Sequence, residues 1–273
     1  MSGRSSSMSS GLRAPDRFRE RYGPWAVVTG ASSGIGREMS AVLADAGLNV
    51  LLVSRRRAEL LELSSRLQAD HGIQARVVVA DLATEAGLAG VREGIEDLDV
   101  GLLIASAGFG TSGPFLQAST AEELAMLDVN CRAVLSLCLQ VVPDLVERGG
   151  GGVVLMSSIV GLQGTPGAAH YAATKAWVHV LAEGLHAELR PMGVDVLASA
   201  PGPVHTGFAD RAGMQMGRAL APAQVAASTL NALGRRATVA PGGLSRMLTW
   251  SLATLPRPAR VRIMGVVMDG MTR

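Results

Sequence analysis

The segment Thr29-Gly30-Ala31-Ser32-Ser33-Gly34-Ile35-Gly36 decides the fold. It follows the apolar run Trp25-Ala26-Val27-Val28 and opens a stretch of helical periodicity over 35–46. Strand, glycine turn and helix are therefore expected in that order. Gly30 suits a tight turn, Gly34 lets backbone approach a diphosphate, and Gly36 permits close packing of helix on strand. Diphosphate oxygens would then face the free N–H groups and the positive dipole end of the helix. Ser32, Ser33 and Ile35 complete this candidate turn. A plain strand-to-helix connection would need only one of the three glycines. Among 33 glycines a triplet alone says little; its place between a strand and a helix gives it weight.

Outward from this segment the pattern repeats. Near-continuous apolar runs at 25–29, 49–54, 75–80, 100–105, 152–157 and 194–199 read as strands covered on both faces. Helical periods at 35–46, 57–71, 84–97, 120–148 and 170–190 lie between them. Such alternation predicts a single α/β domain over 25–240, a doubly wound parallel sheet with helices on both faces. Residues 1–24, with six Ser in the first ten, read as a flexible leader without the apolar segment of a secretory signal. Residues 241–273 read as a helical extension packed on the domain.

Composition narrows the functional classes. At 48% hydrophobic and 18% charged, 273 residues can bury a substantial core. No unbroken run of 18 apolar residues occurs, which argues against a spanning helix. Cys131 and Cys138 cannot form a disulfide scaffold and read as buried thiols of a reducing compartment, so a cytoplasmic location is expected. The charge is +2, with an excess of Arg in the first 25 residues and after 234. Basic ends without interleaved aromatics do not suggest a nucleic-acid partner. No HExxH or CxxC pattern occurs and no metal is expected. Ser157 and Ser158 sit in no Gly-x-Ser-x-Gly elbow, so hydrolase chemistry is not supported.

The end of the second strand bears on the nucleotide. An NAD site commonly places Asp or Glu there for the ribose 2′-OH. Here the run is Val53-Ser54-Arg55-Arg56-Arg57, with no acid before Glu59. A guanidinium pairs with a 2′-phosphate that a carboxylate would repel. Arg57 reads as the start of a solvated helix, and Arg55 as the phosphate ligand. NADP(H) is the expected cofactor.

Acid–base chemistry concentrates in Tyr171-Ala172-Ala173-Thr174-Lys175. The chain has two tyrosines and one lysine, and Lys175 falls four residues after Tyr171. On a helix the two share a face. Codon bias accounts for twenty-four arginines but not for that placement. A phenol titrating near pH 10 is a poor catalyst at neutral pH; a neighbouring ammonium is expected to lower it.

With these motifs in order, the chain resembles the short-chain dehydrogenases/reductases from Trp25 to about Leu233. The resemblance implies Ser158, Tyr171, Lys175 and Asn130 as catalytic residues. Ser158 would polarise the carbonyl, Tyr171 would supply the proton, and Lys175 would hold the nicotinamide ribose. Asn130 would position a water that refills the proton. It also implies that Asp81 and Leu82 meet the adenine, that Ala107 and Gly108 pass the adenosine, and that Pro201, Gly202, Val204 and Thr206 meet the nicotinamide. Taken singly, Ser158 could cap a loop, Asn130 could satisfy helix carbonyls, and Asp81 could cap the next helix. One departure is Ala105-Ser106 where the family has Asn-Asn, which removes side chains that tie neighbouring strands. The ending is another, and loosely resembles bacterial relatives of long-chain 3-oxoacyl and hydroxysteroid reductases.

The expected activity is NADPH-dependent reduction of an apolar ketone, or oxidation of the secondary alcohol. An NAD-linked alcohol or steroid dehydrogenase and a non-catalytic nucleotide-binding regulator are the alternatives. A lid over about 206–220 is expected to close on the substrate through Phe208, Met214 and Met216. The resemblance further implies a homodimer or homotetramer. At the C-terminus, Leu244, Met247, Leu248, Leu252 and Leu255 form a stripe beside Arg257, Arg260 and Arg262. Packing on the pocket or on a second subunit is the main expectation there, and contact with a membrane surface the minority one.

Overall fold

The computed structural model describes residues 11–214 and 219–271, apart from the Asp210 side chain. In chain order its elements are α1 (Pro15–Tyr22), β1 (Trp25–Thr29), α2 (Gly34–Asp45), β2 (Asn49–Ser54), α3 (Arg57–His71) and β3 (Ala75–Val79). Next come α4 (Glu85–Ile95), β4 (Val100–Ala105), α5 (Thr120–Leu127), α6 (Ala133–Glu147), β5 (Gly151–Met156) and α7 (Ala169–Leu189). The chain continues through β6 (Val194–Ser199), α8 (Phe208–Ala212), α9 (Pro222–Leu230), β7 (Thr238–Val239), α10 (Gly243–Ala253) and α11 (Arg257–Met271).

The strands form one parallel seven-stranded sheet in the order β3-β2-β1-β4-β5-β6-β7. Strand side chains alternate between faces, so each strand feeds two cores. Ala26 and Val28 pack in one layer with Met39 and Leu43 of α2, Leu60 and Leu63 of α3, and Val225 and Leu230 of α9. Val27 packs in the other with Val91 of α4, Leu137 of α6 and Val178 of α7. This two-layer burial explains why the strands read as continuous apolar runs. Connections leave β1 toward β2 on one side and cross to β4 on the other. The crevice between the carboxyl ends of β1 and β4 is thus the place where such sheets bind ligands.

Two sequence expectations change. The leader is helical over Pro15–Tyr22, with Phe18 and Tyr22 buried. Pro15 starts the helix without losing a needed donor, and the two aromatic rings, one turn apart, stack with centroids 4.6 Å apart. Tyr22 Oη donates to Asp195 Oδ2 at 2.8 Å, and Arg21 Nε reaches the same oxygen at 2.6 Å. α1 is thereby fastened beside β6. Residues 1–10 of the expected leader lie outside the described residues.

The helix expected over 120–148 is continuous but not uniform. Asp128–Arg132 forms a π turn between α5 and α6. One wider turn there rotates the side chains that follow relative to those before it. The 28-residue stretch Thr120–Glu147 is long and apolar enough to cross a membrane, with a mean hydropathy of 1.5 over its best window. Its inward residues Val134, Leu137, Val141 and Leu145 nevertheless fill the second core layer, so it serves as a sheet-covering helix.

Candidate active site

The glycine turn is built by sterics on three sides. Gly30 and Gly34 have φ of 69° and 56°, a region that glycine enters at no steric cost. A Cβ on Gly36 would stand 2.5 Å from the Gly30 carbonyl oxygen, so α2 abuts the end of β1 only without one. At Gly34 a Cβ would meet Thr206 Cγ2 at 3.0 Å, so this glycine also admits the segment after β6.

Above the turn lies a guanidinium that sequence reading left without a role. Arg56 donates to Ser32 Oγ from Nε at 3.1 Å and from Nη2 at 2.9 Å, and also to Ser33 Oγ. Arg55 is directed to the neighbouring rim, with Nη1 4.0 Å from Asp81 Oδ2. The signal for Arg56 was the same Arg55-Arg56-Arg57 run; only the backbone direction at the end of β2 separates the two. Asp81 does not cap α4. That cap is Thr84, whose Oγ1 accepts from Gly87 N at 3.0 Å, while Asp81 Oδ1 accepts from Ala83 N at 3.1 Å.

The missing Asn-Asn pair does not leave the central strands untied. Thr29 Oγ1 accepts from Ser106 N at 3.1 Å and Ala107 N at 3.0 Å, and donates to Ile104 O at 3.4 Å. A hydroxyl from β1 thus holds the backbone that leaves β4.

Ser158, Tyr171 and Lys175 come together at the carboxyl ends of β4 and β5. Ser158 follows β5; its Oγ donates to Pro201 O at 3.5 Å, accepts from Val160 N at 3.4 Å, and acts on the ionisation of the Tyr171 phenol. Lys175 Nζ donates to Met156 O at 2.8 Å and lies 5.9 Å from the centre of the Tyr171 ring. All three are buried. Burial pushes the Tyr171 phenol up to about 12, with the Ser158 hydroxyl acting the other way. Burial likewise pushes Lys175 down to about 8. The expected lowering of the phenol by its neighbouring ammonium is therefore not what this arrangement gives. Loss of hydration outweighs it, and the phenol is held protonated.

Asn130 stands behind this cluster on the π turn, with no exposed surface. Its Nδ2 donates to Phe109 O at 2.8 Å and Thr174 Oγ1 at 3.0 Å, and its Oδ1 accepts from Phe109 N at 3.1 Å. Both amide hydrogens are engaged, so its side chain holds the 107–109 backbone against α7. A water here would be met by an oxygen of Asn130, not by those two hydrogens. Gly108 makes the approach possible, since a Cβ there would meet Asn130 Oδ1 at 2.9 Å and Lys175 Nζ at 3.2 Å.

From the segment expected to act as a lid, Phe208 places its ring 5.3 Å from that of Tyr171, and Met214 is buried in the same cluster as Tyr171, Phe109 and Met268. Met216 lies outside the described residues. Arg211, also unassigned from sequence, stacks its guanidinium 3.6 Å from the centre of the Phe109 ring.

The glycine turn, its arginine rim and the Ser158–Tyr171–Lys175 cluster surround one cavity of about 650 Å³, with Thr29 and Asn130 behind its wall. Gly30, Ser32, Ser33, Gly34, Ile35 and Gly36 line one end with Arg55, Asp81, Leu82, Ala107 and Gly108. Ser158, Tyr171, Lys175, Pro201, Gly202, Val204 and Thr206 line its middle. The far end is apolar, walled by Leu248 and Leu252 of α10 and by Met264, Met268 and Met271 of α11. Of the stripe expected to pack, Leu244, Leu248 and Leu252 line the cavity and Met247 is exposed; α11 as a wall was not foreseen. Its signal is Met264 and Met268, one turn apart.

A doubly wound sheet with this turn, two cationic side chains at its rim and a buried Ser–Tyr–Lys cluster defines a Rossmann-type nucleotide-binding protein. Residues 24–217 match the family described as short chain dehydrogenase. The chain belongs to the short-chain dehydrogenase/reductase family. It is 33% identical over 184 residues to a very-long-chain 3-oxoacyl-CoA reductase of Anas platyrhynchos, covering 66% of this chain and 59% of that protein. It is 32% identical over 185 residues to a 7beta-hydroxysteroid dehydrogenase of Clostridium sardiniense, covering 68% of this chain and 71% of that one. Among solved structures, a short-chain dehydrogenase from Sphingobium yanoikuyae in complex with NADPH superposes with a TM-score of 0.77 at 31% identity. That superposition covers 85% of this chain and 93% of the other. The chain spans less than two thirds of the length of the Anas reductase.

Proposed function

We propose that the protein is an NADP(H)-dependent oxidoreductase that interconverts a ketone and a secondary alcohol on a bulky apolar substrate. The observation that carries this reading is a single cavity in which Ser158, Tyr171 and Lys175 lie between a glycine turn and an apolar chamber. The residues present fit a dinucleotide. Left-handed Gly34 and the start of α2 leave backbone N–H groups free for a diphosphate. Arg55 and Arg56 would meet a 2′-phosphate, Asp81 and Leu82 the adenine, and Thr206 with Val204 the nicotinamide end. When bound, NADPH supplies the hydride.

The protein's own part is orientation and proton delivery. Ser158 Oγ hydrogen-bonds the substrate carbonyl oxygen and aligns it beside the phenol. Tyr171, kept protonated by burial, donates its Oη proton to that oxygen as negative charge develops there. The Lys175 ammonium, held by Met156 O, is the nearby positive charge that favours the resulting phenolate. Asn130 keeps the 107–109 backbone in place. Substrate preference is assigned to the far wall: thioether and aliphatic side chains from α10 and α11 accept long or polycyclic carbon skeletons. This agrees with the names of the relatives, one a reductase of very-long-chain 3-oxoacyl-CoA and the other a hydroxysteroid dehydrogenase.

The test is NADPH oxidation by the full chain with short ketones, long-chain 3-oxoacyl thioesters and oxo-steroids. Higher kcat/KM for one of the large classes is expected. Faster turnover of the short ketones, or no consumption with any class, overturns the reading.

A further inference from the structure

α10 and α11 have two unlike faces. One walls the cavity, through Leu248, Leu252, Met264 and Met268. On the other, Leu244, Met247 and Trp250 recur every third residue along α10 and are exposed, Trp250 to 74%. Along α11 the same holds for Ile263, Val266 and Val267, with Val266 73% exposed. Leu244, Ile263 and Val267 both line the cavity and reach the surface, so they mark its mouth. Beside them the turn Phe115–Gln117 exposes Leu116 to 98%. This turn is held near α11 because Gly113 N donates to Gly167 O at 2.8 Å, and a Cβ on Gly167 would lie 3.7 Å from Met268 Cβ.

Charge on this face is predominantly positive, with exposed Asp269 the one acid along it among the described residues. Arg246 precedes Trp250 by four residues, and Arg262 precedes Val266 by four, so each guanidinium shares a helix face with the most exposed apolar side chain. Arg257 stands at the start of α11. Among the described residues none of these three arginines makes an ion pair. Arg260 is committed otherwise, donating to Leu255 O and Ala253 O at 2.8 Å. Asp269 is the only acid between 235 and 273.

We propose that this face docks the protein onto an anionic lipid surface, with Trp250, Met247, Val266 and Leu116 entering the headgroup boundary and Arg246, Arg257 and Arg262 meeting the headgroups. Apolar insertion and Arg–phosphate attraction act together at such a surface. A second copy of the chain is a poorer occupant, because a two-fold contact would bring these unpaired arginines against their own equivalents. The mouth of the cavity then opens on the bilayer, and an apolar molecule enters without crossing water. The docking itself does not depend on the reaction proposed above.

The experiment is co-sedimentation of the full chain with vesicles of phosphatidylcholine alone and of phosphatidylcholine with phosphatidylglycerol, at low and at about 0.15 M salt. Binding to the anionic vesicles, weakened by salt and small on neutral ones, is expected. Replacing the three arginines together (Arg246→Gln, Arg257→Gln, Arg262→Gln) should weaken it on the order of a hundredfold, at about fivefold for each. Trp250→Ser with Val266→Ser should weaken it on both kinds of vesicle while leaving the thermal unfolding midpoint in place. None of these residues lines the cavity, so NADPH binding measured alongside should not change. Failure of the wild type to sediment with anionic vesicles overturns the proposal, and so does equal binding by the variants. Conversion of a dimer to a monomer by the same variants, without vesicle binding, would assign this face to self-association and equally overturn it.

Discussion

Cofactor choice should rest on two arginines rather than one. Arg56 reaches across the glycine turn to Ser32 and Ser33 with Glu59 Oε1 3.8 Å from its Nε, and Arg55 stands 4.0 Å from Asp81, so a carboxylate partly offsets the charge of each. A hydrogen bond to a charged group contributes about 1.5–3 kcal/mol when buried. Both side chains are about half exposed, at 57% and 50%, so solvent screening argues for the low end. Each arginine should then contribute roughly tenfold to NADPH affinity, taking about 1.4 kcal/mol per decade. Arg56→Gln alone, and Arg55→Gln alone, are expected to weaken NADPH about tenfold and NADH less than twofold or so. Arg55→Asp should act more strongly, because it puts a second carboxylate beside Asp81 and repels the 2′-phosphate outright. The double glutamine variant should approach equal affinity for the two cofactors. Dissociation constants from calorimetric titration of each variant with each cofactor provide the readout. Parallel losses for NADPH and NADH, or a wild type that binds NADH more tightly, would refute the assignment of both side chains to the 2′-phosphate.

Further consequences concern catalysis, pH and assembly. Tyr171→Phe should reduce kcat at least about a thousandfold with little change in NADPH affinity, since the phenol acts on developing charge; retention of several per cent of activity would contradict that role. Lys175, lowered to about 8 against an ordinary value of 10.5, binds its proton less readily in the folded chain than in the unfolded one. The unfolded state therefore holds more protons between those two values, so this residue makes stability rise with pH across that window. Reductase activity should instead fall as pH passes about 8 and Lys175 loses its charge, and Lys175→Met should abolish that inflection; a profile that stays flat up to pH 10 would show that the charge is not needed. Leu135 and Leu139 on α6 and Trp177 and Val180 on α7 expose apolar surface on the same side of the sheet. Leu139→Asp is expected to shift a dimer to a monomer by analytical ultracentrifugation without loss of fold, and an unchanged sedimentation coefficient would exclude that face.

The sheet was legible because its strands are buried on both faces, so apolar runs stand out against helical periods. The same reasoning could not assign α1 as a helix, since its evidence is Phe18 and Tyr22, and Tyr22 finds its partner far along the chain at Asp195. Tyr171 and Lys175 were legible from spacing and from the rarity of Tyr and Lys, and Ser158 only through the family resemblance. Their ionisation was not. Spacing reports that a lysine is near, but burial of the whole cluster decides which way the phenol moves. Arg55 and Arg56 were indistinguishable in sequence because adjacent residues at a strand end diverge by a backbone torsion that no local pattern encodes. The wall from α11 escaped notice for a related reason, since Met264 and Met268 become pocket residues only once β7 has set where the last two helices begin.

Thr29 offers the sharpest test of how this chain replaces the family's missing asparagines. Its hydroxyl serves two amides, Ser106 N and Ala107 N, and one carbonyl, Ile104 O. Thr29 itself is buried, at 1% exposure. Thr29→Val keeps the shape and the preference for strand, so a loss of stability would come from the hydrogen bonds alone. Leaving a buried amide without an acceptor costs about 1–3 kcal/mol. Ser106 N keeps a second acceptor in Ile104 O at 3.1 Å, so the loss should come mainly from the partly buried Ala107 N and amount to about 1–2 kcal/mol. Ala107 abuts Gly30, where a Cβ would stand 3.0 Å from its Cα and N. Slackening of that backbone should therefore reach the glycine turn and weaken NADPH binding, whereas a substitution elsewhere in the core would lower stability alone. Urea denaturation and cofactor titration of the same variant separate the two effects. A stability loss below about 0.5 kcal/mol with unchanged NADPH affinity would mean that the 105–107 backbone is held by packing, and that the Thr29 hydroxyl does not stand in for the lost side chains.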